Sequence, residues 1–228
     1  MPENCLCVIG ARANSQRLPG KNKRKLSGKP LYAITIEAAL ASGVFSRVLC
    51  STDDAEIIAG LKDYPVQIHP RPDDLARGDV IFTEVLGSIL RHPQYGGNEA
   101  AVCVLTPCHP FRGANHIREA YTLFRQRRVA SLASLTRYPC PPSLAMTLQD
   151  GLIVNPPEGR IEKGTSGPAY YPDGAIIFVD RQRFLAANRF YMRETAGYVL
   201  AWPYGLDIDE AEDLALARRL AGCFPARP

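Results

Sequence analysis

The 228-residue sequence lacks several features that each define a class of protein. It has no run of about 18 apolar residues and no charged segment followed by an apolar one, so it predicts neither a membrane span nor a secretory signal. Its seven cysteines include no C-x-x-C pair and no Cys/His group with zinc spacing. Four of them lie in or beside apolar runs, where free cysteine behaves as a small hydrophobe. We therefore expect a cytoplasmic protein with reduced, mostly buried thiols.

The composition is that of a globular chain. Hydrophobic residues make up 46% and charged residues 22%, and the length suits one substantial core. The formal net charge of +4 is too small to require a nucleic-acid partner. We expect a single domain over residues 1–228.

The charge is unevenly distributed. Residues 10–30, "GARANSQRLPGKNKRKLSGKP", contain seven basic side chains and no acidic one, whereas residues 206–214, "LDIDEAEDL", are rich in acids. A basic and an acidic site in one chain suggest an anion and a cation that meet. An RNA-binding protein is the non-enzyme alternative, but it predicts aromatic residues between the cations, and residues 10–30 contain none.

Apolar runs alternate with amphipathic segments along the chain. This rhythm predicts a three-layer αβα fold with a mostly parallel sheet and right-handed crossovers. The predicted strands are 5–10, 47–52, 66–70, 100–105, 130–136, 175–180 and 198–203, and the predicted helices are 31–43, 53–64, 80–92, 115–128 and 209–222. The Pro- and Gly-rich span 137–174 interrupts the rhythm, and we interpret it as a lid or as an arm for a partner subunit.

A strand, a Gly-containing basic loop and a helix in succession are typical of a phosphate site. The loop has neither G-x-G-x-x-G nor a Walker A pattern, which argues against a generic dinucleotide site and a P-loop ATPase. The alternative is a solvated basic loop without a ligand.

The segment "ARANSQRLPGKN" (11–22) resembles the signature loop of the CMP-sialic acid synthetases, the acylneuraminate cytidylyltransferases. The resemblance continues in order through five further motifs: "STDD" (51–54), "RPDDLA" (71–76), "LTPCHPFR" (105–112), "YYPDGAIIF" (170–178) and "DIDEAEDL" (207–214). It implies a nucleotide-diphospho-sugar-transferase-like fold, a homodimer formed through the arm at 137–174, and no nucleic-acid or membrane partner. The implied reaction joins CTP and a nine-carbon 2-keto sugar acid into a CMP-sugar and pyrophosphate.

The resemblance also implies which residues bind the nucleotide. The triphosphate loop would contribute Ala11, Arg12, Asn14, Ser15, Lys21 and Asn22, with Arg12 and Lys21 taking part in catalysis. Arg17, Lys23, Arg24 and Lys25 are interpreted as a solvated rim. Arg71 is the candidate contact to the cytosine, the alternative being an ion pair with Asp73 or Asp74. The following stretch, "RGDVIFTE", departs from the family pattern and offers only Asp79 and Thr83 as polar groups.

Asp207 and Asp209 form the candidate metal and catalytic pair. Because they are two residues apart, both carboxylates point to one side of an extended segment, as Mg²⁺ coordination requires. The same pair matches the metal-binding motif of the resembled family. The alternative for Asp209 is a helix-capping box with Glu212.

The candidate sugar-binding residues follow from the resemblance as well. They are Thr106, His109, Arg112, Lys163, Tyr171 and Asp173. Cys108 and His109 stand where the family commonly has Thr-Ser, and Asp173 stands where an asparagine is common. These departures suggest a nonulosonic acid other than the commonest sialic acid, and no residue is assigned as general base. The enzyme alternatives are cytidylyl transfer to an eight-carbon 3-deoxy-octulosonic acid and a D-x-D glycosyltransferase.

Overall fold

The computed structural model describes residues 4–155 and 167–224. The strands in this part of the chain are β1 (Cys5–Gly10), β2 (Lys25–Leu26), β3 (Lys29–Pro30), β4 (Arg47–Thr52), β5 (Gln67–Pro70), β6 (Ala101–Leu105), β7 (Ser131–Arg137), β8 (Leu148–Gln149), β9 (Leu152–Ile153), β10 (Tyr170–Asp180) and β11 (Thr195–Val199). The α-helices are α1 (Leu31–Ser42), α2 (Ala55–Gly60), α3 (Asp73–Ala76), α4 (Phe82–Arg91), α5 (Ala114–Arg127), α6 (Arg181–Ala187) and α7 (Ala211–Leu220).

Seven strands form one sheet in the order β11-β7-β10-β6-β1-β4-β5, and each overlaps a predicted strand. The bounds differ most at two of them, since β10 begins five residues before the predicted 175–180 and β11 lies at 195–199 and not at the predicted 198–203. All neighbours are parallel except β10, which runs antiparallel to both β6 and β7. The predicted mostly parallel sheet is therefore confirmed. No helix of the described residues has the length and apolar character that crossing a membrane requires.

The core lies on both faces of this sheet. Along β1 the side chains alternate, so that Cys7 and Ile9 join one apolar cluster while Leu6 and Val8 join another. The first cluster also takes residues from α1 and α5, and the second takes residues from α4 and α6. This is the predicted three-layer arrangement, and it explains why β1 is apolar at every position before Gly10.

Four of the five predicted helix starts are wrong by one or two residues, because α2, α4, α5 and α7 begin at 55, 82, 114 and 211 and not at 53, 80, 115 and 209. Two of these differences concern the capping residue. Helix α2 begins after Asp54, whose carboxylate accepts hydrogen bonds from the amides of Glu56 and Ile57 at 2.9 and 3.3 Å, so Asp53 is not the cap. Helix α7 begins after Glu210, which forms its capping box with Asp213. The predicted Asp209–Glu212 box is therefore absent.

The span 137–174 contains the ends of two sheet strands and a separate hairpin. Strand β7 ends at Arg137 and β10 begins at Tyr170. Between them, β8 and β9 form a hairpin around Asp150 and Gly151, which both have positive φ, and within the described residues these two strands pair with no other strand. The prediction that this span is an inserted arm remains a prediction, and part of it lies outside the described residues.

Candidate active site

A cavity of about 380 Å³ opens where the parallel strands β1, β5 and β6 end. Its walls come from the basic loop, Arg71, the start of α4, the turn after β6 and Asp209. Parallel α/β sheets bind ligands at the carboxyl ends of their strands, beside the point where the strand order reverses. The sheet therefore brings the basic loop and the acidic C-terminal motif to one cavity.

The basic loop is held to the end of β4 by hydrogen bonds. The Ala11 amide donates to the Ser51 carbonyl at 2.9 Å, and the Thr52 hydroxyl donates to the Ala11 carbonyl at 2.6 Å. The Ala13 amide donates to the Asp53 carboxylate at 2.8 Å. The "STDD" motif thus anchors the loop, and buried Ala11 contributes backbone to that anchor.

Arg12, Ser15 and Asn22 all line the cavity. The buried Asn22 side chain donates to the Arg12 carbonyl at 2.9 Å and so fixes the loop backbone beneath the Arg12 guanidinium. Asn14 is exposed and does not line the cavity.

Lys21 and Asp209 join the basic and acidic motifs. Lys21 Nζ lies 2.8 Å from Asp209 Oδ1, and the Arg17 guanidinium holds Oδ2. Burial alone would raise the pKa of Asp209, but the hydrogen bonds and charges of Lys21 and Arg17 outweigh it and lower the pKa. Arg17, predicted as part of a solvated rim, is therefore a second cation of this junction.

Asp207 lies on the other side of Ile208, which is fully buried and donates its amide to the Cys108 carbonyl at 2.9 Å. Burial raises the pKa of Asp207, contact with the Cys108 thiol opposes this rise, and the charge of Asp209 adds to it. Asp207 Oδ1 is buried and has no hydrogen-bond partner among residues 4–155 and 167–224. A buried carboxylate oxygen without a partner is costly unless a ligand satisfies it.

Arg71 forms the opposite end of the cavity. The guanidinium donates to the Ser51 hydroxyl at 3.2 Å and to the Ser51 carbonyl at 3.0 Å, and it lies 5.7 Å from the centre of the Phe82 ring. Arg71 makes no ion pair with Asp73 or Asp74 in the described structure, so the structure contradicts that alternative.

The wall beside Arg71 is apolar. Val80, Phe82 and Val85 line it, whereas Asp79 and Thr83, the polar groups singled out in the sequence, do not. The Phe82 ring lies so close to Gly10 that a Cβ on Gly10 would stand 2.3 Å from Phe82 Cε2. A glycine at the end of β1 is therefore required for this wall.

The candidate sugar residues are divided between the cavity and the structure behind it. Thr106 lines the cavity, and its hydroxyl lies 2.7 Å from His109 Nδ1. His109 is 1% exposed, and burial lowers its pKa to about 3, so the imidazole is neutral. Arg112 is also 1% exposed and donates to the Thr35 hydroxyl and to the Thr106 carbonyl at 3.0 and 3.3 Å. Both residues support the 106–109 turn from behind.

Asp173 and Tyr171 lie on β10, next to the same turn. The Asp173 carboxylate accepts hydrogen bonds from the hydroxyls of Ser134 and Thr136 and from the Ala175 amide, so its oxygens are satisfied. Tyr171 is half-buried against Tyr138. Lys163 lies outside the described residues.

Sequence reasoning missed three features of the site. These are the contact of Arg17 with Asp209, the Phe82 wall, and the proximity of Cys108 to Asp207. Only the third left a signal in the sequence, because Cys108 and His109 already departed from the family pattern.

The fold and the cavity define a class of protein. A mostly parallel αβα sheet with a cationic loop after its first strand, and with the Asp209 carboxylate paired to that loop in the cavity, is typical of enzymes that handle nucleotide phosphates. Within that class, the cytidylyltransferase family model matches residues 6–138. The chain belongs to the cytidylyltransferase family.

Two curated relatives and one solved structure illustrate the similarity. The chain is 31% identical to an N-acylneuraminate cytidylyltransferase of Escherichia coli over 95% of its own length and 52% of the relative. It therefore spans about half the length of that protein. It is 32% identical to a CMP-N,N'-diacetyllegionaminic acid synthase of Legionella pneumophila over 94% of this chain and 95% of the relative. A CMP:2-keto-3-deoxy-manno-octonic acid synthetase complexed with CTP shares the fold, with a TM-score of 0.69, 14% identity, and coverage of 96% and 98% of the two chains.

Proposed function

We propose that the protein transfers CMP from CTP to a nonulosonic 2-keto sugar acid and releases pyrophosphate. The observation that carries this proposal is the junction of Lys21 with Asp209 in the cavity, because a cation suited to phosphate and a carboxylate suited to a divalent ion lie within 2.8 Å of each other there. In the reaction an acceptor hydroxyl oxygen bonds to the α-phosphorus, and the bond to the bridging β-phosphate oxygen breaks. The hydroxyl proton passes to solvent.

The cationic end of the cavity suits the triphosphate. Arg12 offers a planar pair of donors and Lys21 a compact charge, while the Ser15 hydroxyl lines the same wall. In nucleotidyl transfer the protein mainly aligns the attacking and leaving oxygens and offsets charge on the phosphate. We assign these roles to Arg12 and Lys21, with Asn22 fixing the loop through the Arg12 carbonyl.

The other end suits the base. Arg71, held on Ser51, presents donors beside an apolar wall of Val80 and Phe82, and a flat heterocycle fits such a surface. A cytosine there would lie between the Arg71 guanidinium and the start of α4. This orientation points the phosphates toward Lys21.

The acidic pair suits a divalent cation. Asp207 offers a buried oxygen without a partner, and Asp209 offers a carboxylate already ionised beside Lys21. Oxygen donors of this kind fit Mg²⁺, which would polarise a phosphate oxygen and lower the pKa of a bound hydroxyl. Asp207 and Asp209 would hold it, while Lys21 neutralises the remaining phosphate charge.

For the sugar acid we propose that Thr106 and Tyr171 face the acceptor and that His109, Arg112 and Asp173 position the surrounding backbone. The last three are at most 8% exposed and bond to the chain itself, so each acts through the shape of the turn. The acceptor carboxylate needs a cation, for which Lys163 remains a hypothesis from the sequence.

The test is pyrophosphate release with each of the four NTPs, Mg²⁺ and a panel of sialic, legionaminic, pseudaminic and 3-deoxy-octulosonic acids. We expect release with CTP and a nine-carbon acid. Release with the eight-carbon acid alone would mean that this acid, and not a nine-carbon acid, is the acceptor. Consumption of a preformed nucleotide sugar would favour a glycosyltransferase. Absence of release with CTP and every acid would contradict the proposal.

We further propose a cytoplasmic homodimer formed through the β8–β9 hairpin. Leu148 and Leu152 are 70% and 71% exposed, and Met146, Ile153 and Val154 add to an apolar surface of the kind that marks interfaces. The double variant Leu148→Glu/Leu152→Glu should shift the mass in light scattering from dimer to monomer. Leu216→Glu, at an exposed position of α7, is the control, and an unchanged dimer in the hairpin variant would contradict the interface.

The proposed cytoplasmic location rests on the cysteines. They are free in the structure, two of them are exposed, and free thiols are typical of a reducing compartment.

A further inference from the structure

Three potential metal ligands from separate parts of the sequence meet beside the cavity. Cys108 and His109 lie in the turn after β6, and Asp207 lies in the segment before α7. Their ligand atoms all lie within 4.8 Å of one another. The proposed function uses Asp207 as a Mg²⁺ ligand and His109 as a support, but it gives no role to the Cys108 thiol.

The spacing of the three groups fits a tetrahedral ion. Cys108 Sγ lies 3.5 Å from His109 Nδ1. With Zn–S of about 2.3 Å and Zn–N of about 2.0 Å, tetrahedral geometry places the two ligand atoms about 3.5 Å apart. The thiol also contacts the Asp207 carboxylate, and the Ile208 amide ties the two segments together through the Cys108 carbonyl.

A second, independent observation points to a ligand. Asp207 Oδ1 is buried and has no hydrogen-bond partner in the described part of the chain. Buried polar atoms are nearly always satisfied, so this oxygen calls for an explanation. An ion bound by the Asp207 carboxylate, the Cys108 sulfur and His109 Nδ1 supplies one.

We propose that Cys108, His109 and Asp207 bind a thiophilic divalent cation, with Zn²⁺ as the probe, and that this ion inhibits the enzyme. Binding displaces one proton from the Cys108 thiol to solvent. The inhibition rests on the proposed function, because the ion takes Asp207 away from the pair that holds Mg²⁺. The binding itself does not rest on it.

Several local costs limit the affinity. Burial raises the pKa of the Cys108 thiol to about 12, so the metal has to displace a firmly held proton. The Thr106 hydroxyl, 2.7 Å from His109 Nδ1, has to give up that contact. Lys21 also lies near Asp207 and repels a cation. We therefore expect weaker binding than in closed four-ligand zinc sites.

Binding is tested with Co²⁺, which reports thiolate coordination by a charge-transfer absorption. The parent is the Cys140→Ser/Cys223→Ser protein, because those two thiols are exposed and would otherwise bind the probe. We expect one equivalent of Co²⁺ to give the thiolate band and tetrahedral visible bands, and Cys108→Ser in the same background to lack the thiolate band. No band in the parent, or the same band in the variant, would overturn the proposal. Cys108→Ala replaces the serine variant if circular dichroism shows that the latter is unfolded.

Inhibition is tested by pyrophosphate release at fixed Mg²⁺ with increasing Zn²⁺, each protein being normalised to its own zinc-free rate. We expect inhibition that a chelator reverses, and a half-inhibiting Zn²⁺ concentration at least about tenfold higher in Cys108→Ser. Equal inhibition of both proteins would overturn the inhibitory role. If neither protein turns over CTP, the proposed function fails, and the Co²⁺ titration still decides the binding site.

Discussion

Replacing either carboxylate of the acidic pair by its amide should remove most of the activity, but only the replacement of Asp209 should lower the stability of the fold. Asp209→Asn loses the negative partner of Lys21 and Arg17. Since the Asp209 side chain is 29% exposed and that of Arg17 61%, solvent screens these pairs, and we expect a loss of about 1 kcal/mol. For a chain of this size that lowers the unfolding midpoint by about 2–4 °C.

Asp207→Asn should behave differently because Asp207 is costly in the folded state. Its buried Oδ1 has no hydrogen-bond partner in the structure described, a deficit of the kind that costs about 1–3 kcal/mol. An amide removes the buried charge while keeping the shape. We expect a midpoint equal to that of wild type or higher by about 2–4 °C, with most of the pyrophosphate release lost at ordinary Mg²⁺.

The stability difference between Asp207→Asn and wild type should depend on pH in a defined direction. The folded pKa of Asp207 lies above its unfolded value, so the carboxyl group favours folding while it is protonated and loses that contribution as the pH rises through the folded pKa. The stability advantage of Asp207→Asn should therefore be absent at acid pH and should grow from near pH 3.8 upward. Thermal unfolding without metal, read at several pH values, measures it.

Two results would refute the reasoning. Wild-type turnover in Asp207→Asn would remove Asp207 from the reaction. A midpoint more than about 8 °C below wild type would mean that the carboxylate stabilises the fold through contacts that the structure does not contain.

Further variants test the other walls of the cavity. Lys21→Met should lower kcat/KM about 10²–10³-fold, as the loss of a charge-stabilising donor does. Lys25→Met, at an exposed position, is the control and should leave kcat/KM within about twofold. Equal effects of the two variants would indicate a general loss of electrostatic attraction for the nucleotide. Gly10→Ala should raise the Kd for CTP measured by calorimetry, because its Cβ would stand 2.3 Å from Phe82 Cε2; an unchanged Kd would remove the Phe82 wall from the base site. With a pKa of about 3, neutral His109 should give no activity limb near pH 6.5, and a limb that disappears in His109→Gln would contradict this.

The sheet could be predicted from the sequence because strands buried on both faces of a parallel sheet are continuous apolar runs. Cys5–Gly10 and Ala101–Leu105 are such runs. The helix starts were less predictable. Asp53 and Asp54 are equally good capping residues in isolation. Asp54 caps the helix because the Asp53 carboxylate accepts a hydrogen bond from the Ala13 amide, which is 40 residues away in the sequence.

The site could be predicted where the residues that line the cavity belong to one motif, as in the basic loop. Contacts between two motifs that are distant in the sequence could not be predicted. The contact of Arg17 with Asp209 spans 192 positions, so nothing near Arg17 distinguishes it from a surface cation. The group formed by Cys108, His109 and Asp207 likewise escapes a search for zinc spacing, because its third member lies on another segment.

The cations that would bind the phosphates, Lys21 and Arg17, already contact Asp209, so nucleotide binding should alter these contacts. Where Lys21 or Arg17 turns from Asp209 to donate to a phosphate oxygen, the Asp209 carboxylate loses a positive partner. A divalent ion arriving with the nucleotide provides one, so anion and cation should bind with mutual assistance. Either one alone would leave a charge of the junction unmatched in a partly buried place.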